Sequence, residues 1–324
     1  MSRRRVQRLA LTVLGALLLL VGGLRLADAL GGFGRSGSDR APVQTVSDDV
    51  LFDETFDVRP GAALAVDLGS EDVVVRTVRG NRARVRIEGR GRDAADEFRR
   101  RRYTARAVNG GLDVRTDPPR RAWSMGRRNA RFTVTIEIPR RFNVAVDLGS
   151  GDVQVASLDG NLALDTGSGD VQVDDVEGRR LTFDTGSGDV RAGTLKGQVE
   201  IDTGSGDVQI DRVEGRLAVE TGSGDVAVGL VDGEAEAEAG SGTVEIAVAG
   251  SRDVEVETGS GRVTVRVPQK SGWAVDLDGG SVEIDRALGF QGRKENRQAR
   301  GQIGGGGARL DIDTGSGAIR VLSR

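Results

Sequence analysis

Carboxylates recur at a fixed spacing, and they are the side chains in this sequence most able to do chemistry. The first series follows each Gly-Ser-Gly or similar turn: Asp152, Asp170, Asp189, Asp207 and Asp225. If the chain coils so that these side chains stack, they repel one another, and a cation such as Ca²⁺ would relieve that repulsion. The same position then continues as Thr243, Arg262, Ser281 and Ala318. Because an arginine is incompatible with a continuous column of metal, the sequence favours carboxylates that accept hydrogen bonds from turn backbone, with calcium as the alternative.

A second acidic series precedes the same turns. Its members are Asp147, Asp165, Asp184, Asp202, Glu220, Glu238 and Glu257. We expect these side chains to form a solvated acidic stripe on the outside of the molecule.

The residue types that are missing exclude several kinds of enzyme. The chain of 324 residues has no His and no Cys, which rules out Ser-His-Asp triads, cysteine nucleophiles, Cys/His zinc sites and disulfides. Carboxylates with Arg or Lys could serve a polysaccharide-active enzyme, but here they are repeated rather than unique. Only Trp123 and Trp273 could stack on sugars, and we expect both to pack at the ends of the fold. The sequence therefore predicts a protein that is not an enzyme, with no catalytic, cofactor-binding or metal residues.

Positive charge is concentrated in one part of the chain. Residues 72–141 contain 20 Arg and 8 acids, a net charge of +12, whereas residues 142–324 contain 18 Lys and Arg and 32 acids, a net charge of −14. Such a basic module could contact anionic lipid, wall polymer or lipopolysaccharide. The candidate polyanion contacts are Arg99, Arg100, Arg101, Arg102, Arg120, Arg121, Arg127 and Arg128.

One unit, DTGSGDVQV, is repeated along the chain. This repeat must position the two acidic series. Its copies are 147–155, 165–173, 184–192, 202–210, 220–228, 238–246, 257–265 and 313–321. Apolar and polar residues alternate within each copy, and near-identical turns at a spacing of 18 or 19 residues are typical of stacked coils. The sequence predicts an all-β fold, a single-stranded parallel β-solenoid with 18–19-residue coils. Glycines would form its corners, and Thr166, Thr185, Thr203 and Thr221 would form an outward hydroxyl row.

The flanking segments are irregular. Residues 51–141 are interpreted as a basic N-terminal cap with the first coils, including a short helix at 93–102 and a hairpin around 109–111. The regular solenoid is 142–324, with a degenerate copy at 276–284 and an insertion near 285–309. The copy at 313–321 ends the chain, so an open last coil near Ile319 and Val321 would invite stacking of one molecule on another.

The N-terminal segment indicates export. Four arginines precede the apolar run 9–23, and Ala27-Asp28-Ala29 follows with the small residues typical of a cleavage site. Residues 1–30 are therefore interpreted as a hydrophobic helix, either a cleaved signal peptide or a retained signal anchor, and 31–50 as a linker. Both alternatives place the rest of the chain beyond the cytoplasmic membrane, which argues against nucleic acid as the partner of the basic module.

Three segments together resemble a known bacterial family. They are FDVRPGAALAVDLGSEDVVV (56–75), the serial TGSGDV coils, and RGQIGGGGARLDIDTGSGAIRV (300–321). This combination is similar to the putative adhesin family, a domain-of-unknown-function family of exported β-solenoids related to the head GIN domain. The resemblance implies a parallel β-solenoid at the cell envelope and supplies no catalytic residues.

The functional expectation is a non-enzymatic cell-envelope protein, a rigid solenoid displayed for adhesion or for binding an envelope polymer, an anionic membrane surface or an envelope protein. A self-assembling β-helical scaffold is the first alternative, since solenoids with open ends can stack. A polysaccharide-active β-helical enzyme is the second.

Overall fold

The computed structural model describes residues 49–116 and 130–324, which form a parallel β-solenoid. The hydrophobic helix expected in 1–30, most of the linker at 31–50 and the loop at 117–129 lie outside the described residues. Within the described ranges, no helix has the length and apolar character needed to span a bilayer.

The N-terminal part contains a helix and seven strands. These elements are β1 (Asp49–Asp57), β2 (Ala63–Leu68), β3 (Asp72–Val78), β4 (Arg82–Arg90), α1 (Ala94–Arg101), β5 (Tyr103–Val108), β6 (Gly111–Thr116) and β7 (Arg131–Pro139). The helix predicted at 93–102 is present as α1, and the predicted hairpin is β5–β6, whose turn residues Asn109 and Gly110 have φ of 54° and 84°.

The regular coils follow as short strands separated by the repeated turns. They are β8 (Asn143–Leu148), β9 (Val153–Val155), β10 (Leu158–Asp159), β11 (Leu162–Thr166), β12 (Val171–Val173), β13 (Val176–Ser187), β14 (Val190–Ser205), β15 (Val208–Glu214), β16 (Leu217–Ser223), β17 (Val226–Asp232), β18 (Ala235–Ser241), β19 (Val244–Val248), β20 (Val254–Ser260) and β21 (Val263–Val267).

The C-terminal part has a hairpin and two further coils. Its elements are β22 (Trp273–Asp278), β23 (Ser281–Ile284), a 3₁₀ turn (Arg286–Leu288), β24 (Gln291–Lys294), β25 (Gln298–Ile303), β26 (Ala308–Thr314) and β27 (Ala318–Ser323).

From β8–β9 to β20–β21, each coil pairs in parallel with the next, as the repeat predicts. Leu164 aligns with Val146 on one side and with Phe183 on the other, offsets of 18 and 19 residues. We call the side of the solenoid that contains β8, β11, β13, β16 and β18 the first face. The second face is the side that contains β9, β12, β15, β17 and β19. The inward residues of both faces are mostly Val, Leu and Ile and are buried, so the core is a narrow column of aliphatic side chains between the faces.

Glycine is required at the corners because successive coils approach closely there. A Cβ at Gly167 would lie 2.5 Å from the carbonyl oxygen of Gly149, and one at Gly169 would lie 2.1 Å from that of Gly151. Neither of these two glycines has a positive φ. Close backbone approach therefore fixes glycine at these two positions. At the equivalents of Gly169 in four other copies, Gly151, Gly224, Gly242 and Gly261, a positive φ of 134–155° adds to it.

The threonine row points inward, which corrects the expectation of an outward hydroxyl row. Thr166, Thr185, Thr203 and Thr221 are at most 2% exposed. Strict alternation requires this orientation, because the acidic residue before each Thr points outward and the side-chain direction reverses at every residue of a strand. The hydroxyl oxygens of all four are buried without a hydrogen-bond partner.

The N-terminal end is closed by strands that precede and follow the first coil. That coil, β2 and β3, lies between β8–β9 and an outer coil formed by β6 and β7. Three antiparallel strands cover this outer coil. β5 pairs with β6, β4 pairs with β7, and β1 pairs with β4. The first coil in the sequence is therefore the second coil in space.

The C-terminal end repeats this arrangement and corrects the expected order of coils. The last copy of the repeat, β26 and β27, lies between β20–β21 and β22–β23, so the degenerate copy is the outermost coil. The insertion supplies β25, which pairs antiparallel with β22, and β24, which pairs with β25. Ile319 and Val321 are fully buried. The open last coil expected there is wrong, because the chain returns to fill an inner position.

Candidate functional site

The aspartates after the Gly-Ser-Gly turns join neighbouring coils. The side chain of Asp152 accepts a hydrogen bond from the backbone N–H of Asp170 at 3.2 Å, and Asp170 does the same for Asp189 at 3.2 Å. Asp189, Asp207 and Asp225 continue the pattern at 3.1, 2.9 and 2.6 Å. These contacts are the backbone-accepting role that the sequence favoured over calcium. In the described residues, no group of three or more acidic side chains is arranged to hold a metal ion.

The second acidic series is continuous along the first face and longer than the sequence suggested. Strand pairing adds Asp67 before Asp147, and Asp313 and Asp278 after Glu257. We call these ten aligned carboxylates the acidic row; its members are Asp67, Asp147, Asp165, Asp184, Asp202, Glu220, Glu238, Glu257, Asp313 and Asp278. Adjacent members stand on neighbouring strands, about 4.8 Å apart.

Burial, together with the close spacing of the acidic row, raises the pKa of several of its members. Burial, followed by the charges of Asp184 and Asp147, raises the pKa of Asp165 to about 6. Burial and a neighbouring carboxylate also raise the pKa of Asp147 and Asp184. The row adjoins an open groove of about 640 Å³ whose floor is the glycine corners. This face concentrates negative charge and repels other anions.

The predicted basic contacts are divided between α1 and the loop at 117–129. Arg99 and Arg100 have side chains 72% and 62% exposed, and each pairs with an acid of the same helix, Asp96 or Glu97. Arg102 ends the helix in a left-handed conformation and is exposed. The remaining predicted contacts lie outside the described residues: Arg120, Arg121, Arg127 and Arg128.

Arg101 differs from its neighbours because it faces inward. It forms an ion pair with the fully buried Glu71 and contacts Glu97 at 3.4 Å, and its guanidinium lies 5.0 Å from the centre of the Phe132 ring. Tyr103 donates a hydrogen bond of 2.6 Å to the same Glu71 carboxylate, and burial followed by that charge raises the pKa of Tyr103. Arg101 therefore anchors α1 to the first coil.

Glu71 is the central residue of this anchor, and in the sequence it stands out only as a departure from the repeat. It occupies the position of the second glycine in Gly-Ser-Gly, and its carboxylate accepts the backbone N–H groups of Gly69 and Ser70 at 2.8 Å each. A carboxylate buried in this way requires a cation. The signal that could have identified the anchor was therefore this acid in a glycine position, followed by an arginine-rich helix.

Much of the remaining basic charge is paired within the cap. Arg84 binds Asp53 through two nitrogens, at 2.7 and 2.6 Å, and the Arg84 guanidinium holds the pKa of Asp53 below its usual value. Arg82–Asp57, Arg86–Glu88 and Arg115–Asp113 are further ion pairs. Other exposed arginines of the described cap stand outside these pairs, so α1 carries only part of its exposed positive charge; they are Arg59, Arg76, Arg79, Arg92 and Arg106.

The tryptophan that the structure describes is a packing residue, as predicted. Trp273 is fully buried in the outermost coil, aligned with Ile303 and Ala308, and its indole N–H donates to the Ser271 hydroxyl at 2.8 Å. It therefore has no face to offer a sugar ring. Trp123 lies outside the described residues.

Comparisons with solved structures find bacterial proteins of low sequence identity. A putative adhesin from Bacteroides fragilis is 10% identical over 85% of this chain and 98% of that chain, with a TM-score of 0.41. A putative lipid binding protein from Parabacteroides distasonis is 12% identical over 83% and 96%, with a TM-score of 0.42. A putative cell adhesion protein from Clostridium sporogenes is 13% identical over 86% and 100%, with a TM-score of 0.23.

Comparison with curated proteins gives no match. A family model gives the decisive result. The Toastrack DUF4097 model matches residues 62–322, a range that begins just before β2 and ends within β27. This range includes every coil of the solenoid, and β1 precedes it. The chain belongs to the Toastrack DUF4097 family.

Proposed function

We propose that this protein is a non-enzymatic binding protein of the cell envelope. Its exposed basic surface at the N-terminal end of the solenoid contacts a polyanion of the envelope, either wall polymer or anionic lipid, and the acidic solenoid extends away from it. The supporting observation is the separation of charge along the solenoid, from +12 in residues 72–141 to −14 in residues 142–324.

Charge separation of this kind favours one orientation on an anionic surface. Arg99, Arg100 and Arg102 point to solvent at the N-terminal end of the solenoid, whereas the acidic row begins at β2 and continues to the outermost C-terminal coil; on the outer N-terminal coil its place is taken by Arg115. An anionic surface attracts the first group and repels the second, within a screening distance of about 8 Å at physiological salt. We therefore expect the molecule to stand on its N-terminal end.

Two alternatives have less support. A scaffold that stacks end to end needs open strand edges, but β24, β25 and β5 cover the outer coils of the first face. An enzyme needs a small set of groups in unique surroundings, whereas the carboxylates here repeat from coil to coil.

The test is cosedimentation of residues 42–324, which include every described strand, with isolated cell envelopes across a salt series. The variant replaces Arg99, Arg100 and Arg102 by Gln and keeps Arg101, because Arg101 anchors the helix. A matched control replaces three exposed arginines at the opposite end of the solenoid, Arg293, Arg300 and Arg320.

We expect binding that weakens with salt, is lost in the helix variant and is retained in the control, since both variants lose three positive charges. Vesicles of anionic and of neutral lipid, in parallel with lipid-free wall fragments, distinguish a lipid partner from a polymer. Equal binding by the wild type and the helix variant would overturn the proposal.

A further inference from the structure

The C-terminal coil is held on both sides by coils that precede it in the sequence. β26 pairs with β20 and β22, and β27 pairs with β21 and β23, all in parallel. Its inward residues Leu310, Ile312, Ile319 and Val321 are at most 1% exposed. This coil therefore fills a slot whose two walls are made by the chain from Val254 to Ile284.

The segment that leads into this coil is suited to take more than one path. Four consecutive glycines, Gly304–Gly307, join β25 to β26, with φ values of 56°, 88°, 83° and 147°. A Cβ at Gly305 would contact nothing within 4 Å, whereas one at Gly304 would lie 2.3 Å from the Ser271 carbonyl oxygen and one at Gly307 would lie 2.8 Å from that of Gly272, so the middle of the run is open and its ends are packed. Glycine has the greatest backbone freedom of any residue, so a run of four makes a hinge.

A coil fits this slot when its residues align with those of the coils on both sides. Val254, Leu310 and Val275 align across the three strands, as do Glu257, Asp313 and Asp278. A second copy of the chain carries an identical C-terminal coil, and that coil would make every one of these pairings.

We propose that two copies of this protein exchange their C-terminal coils. Residues 308–324 of each molecule enter the slot between β20–β21 and β22–β23 of the other, and Gly304–Gly307 form the crossing hinge. The partner is thus a second copy of this chain, and the interface consists of contacts already present in the monomer. This inference does not depend on the proposed envelope binding.

Exchange of this kind is governed by concentration. Because the pairings are the same in both states, the free-energy difference comes from the hinge and from the loss of independent motion of two molecules. The monomer is favoured in dilute solution, and the exchanged dimer is favoured when the chains are crowded, as they would be on a surface.

The absence of native cysteine gives a direct test with the full chain, kept in detergent because of its apolar run at 9–23. One copy carries Glu255→Cys and a second, differently tagged copy carries Asp311→Cys. These outward residues are partners on β20 and β26. The two copies are mixed at high concentration, unfolded, refolded and oxidised. The control mixture pairs Glu236→Cys with Glu255→Cys, partners on β18 and β20 in the middle of the solenoid.

Exchange predicts a disulfide-linked heterodimer in the first mixture and none above background in the second, by non-reducing electrophoresis. Deleting Gly305 and Gly306 should increase the yield of heterodimer, since a shorter hinge disfavours the return of the coil to its own slot. Circular dichroism confirms that each variant is folded. A first mixture with no more heterodimer than the control, with or without the deletion, would overturn the proposal.

Discussion

Replacing Asp165 by Asn should stabilise the solenoid at neutral pH. Asp165 lies between Asp147 and Asp184 in the acidic row, and burial followed by the charges of Asp184 and Asp147 raises its pKa from 3.8 to about 6. A carboxyl whose pKa is higher in the folded than in the unfolded chain favours folding while it is protonated. Its contribution is complete below about pH 4 and is lost as the pH rises through about 6.

The size of the effect follows from this pKa and from the exposure of the side chain. One pKa unit corresponds to about 1.4 kcal/mol, so the rise from 3.8 to about 6 sets an upper limit of about 3 kcal/mol. Solvent screens a partly exposed carboxylate, and we therefore expect about 1 kcal/mol. For a chain of this size that amounts to a rise in Tm of roughly 2 °C. Asparagine has nearly the same shape and remains neutral, so the variant should lose less stability than the wild type as the pH rises; the raised pKa values of Asp147 and Asp184 leave it some of the loss.

The assay is urea unfolding of residues 42–324, followed by circular dichroism from about pH 4 to about pH 8. The gain from Asp165→Asn should be largest above pH 6 and should shrink towards pH 4. The control is Asp170→Asn in the same coil, where the side chain accepts a backbone hydrogen bond and an amide oxygen can replace it. The reasoning is refuted if Asp165→Asn gives no gain at neutral pH, or a gain that does not change with pH.

The remaining predictions concern packing. Arg101→Met leaves a buried carboxylate without its cation and should lower the free energy of unfolding by about 3–5 kcal/mol. Arg99→Met, on an exposed side chain, should lower it by less than about 0.5 kcal/mol, and equal losses in urea titrations would contradict the buried anchor. Thr203→Val replaces an unpartnered buried hydroxyl by a methyl and should raise the free energy of unfolding by about 1 kcal/mol in calorimetry; a comparable loss would show that the hydroxyl is hydrogen-bonded. Gly206→Ala places a Cβ 2.1 Å from a carbonyl oxygen of the preceding coil and should cost more than about 2 kcal/mol. Gly250→Ala meets nothing within 4 Å and serves as its control.

The regular coils could be predicted from the sequence because their information is local and repeated. A spacing of 18 or 19 residues fixes which residues align, and period-two alternation fixes the inward side chains, as at Leu164 and Phe183. The same alternation should have placed Thr185 inside. Its hydroxyl suggested solvent instead, and the pattern of the strand proved the better guide.

The ends of the solenoid could not be predicted in this way. The order of coils depends on where the chain returns, and the repeat 313–321 fits an inner slot and an outer position equally well by sequence. The anchor around Glu71 joins residues 30 positions apart, Glu71 and Arg101, and no local period connects them. Both features help to cover exposed strand edges through contacts between residues far apart in the sequence. A local repeat does not specify such contacts.

The placement of the first and last coils one position inside each end affects how the molecule responds to pulling. A terminal strand at an open edge can be peeled away one hydrogen bond at a time, whereas β2 and β26 each have a parallel neighbour on both sides. A load applied to either end of the solenoid segment must therefore shear two rows of hydrogen bonds together before a coil is released. We expect β1, whose only strand partner among the described residues is β4, to peel away first, and we expect both mechanical unravelling and trimming by exopeptidases to stop where these inner coils begin.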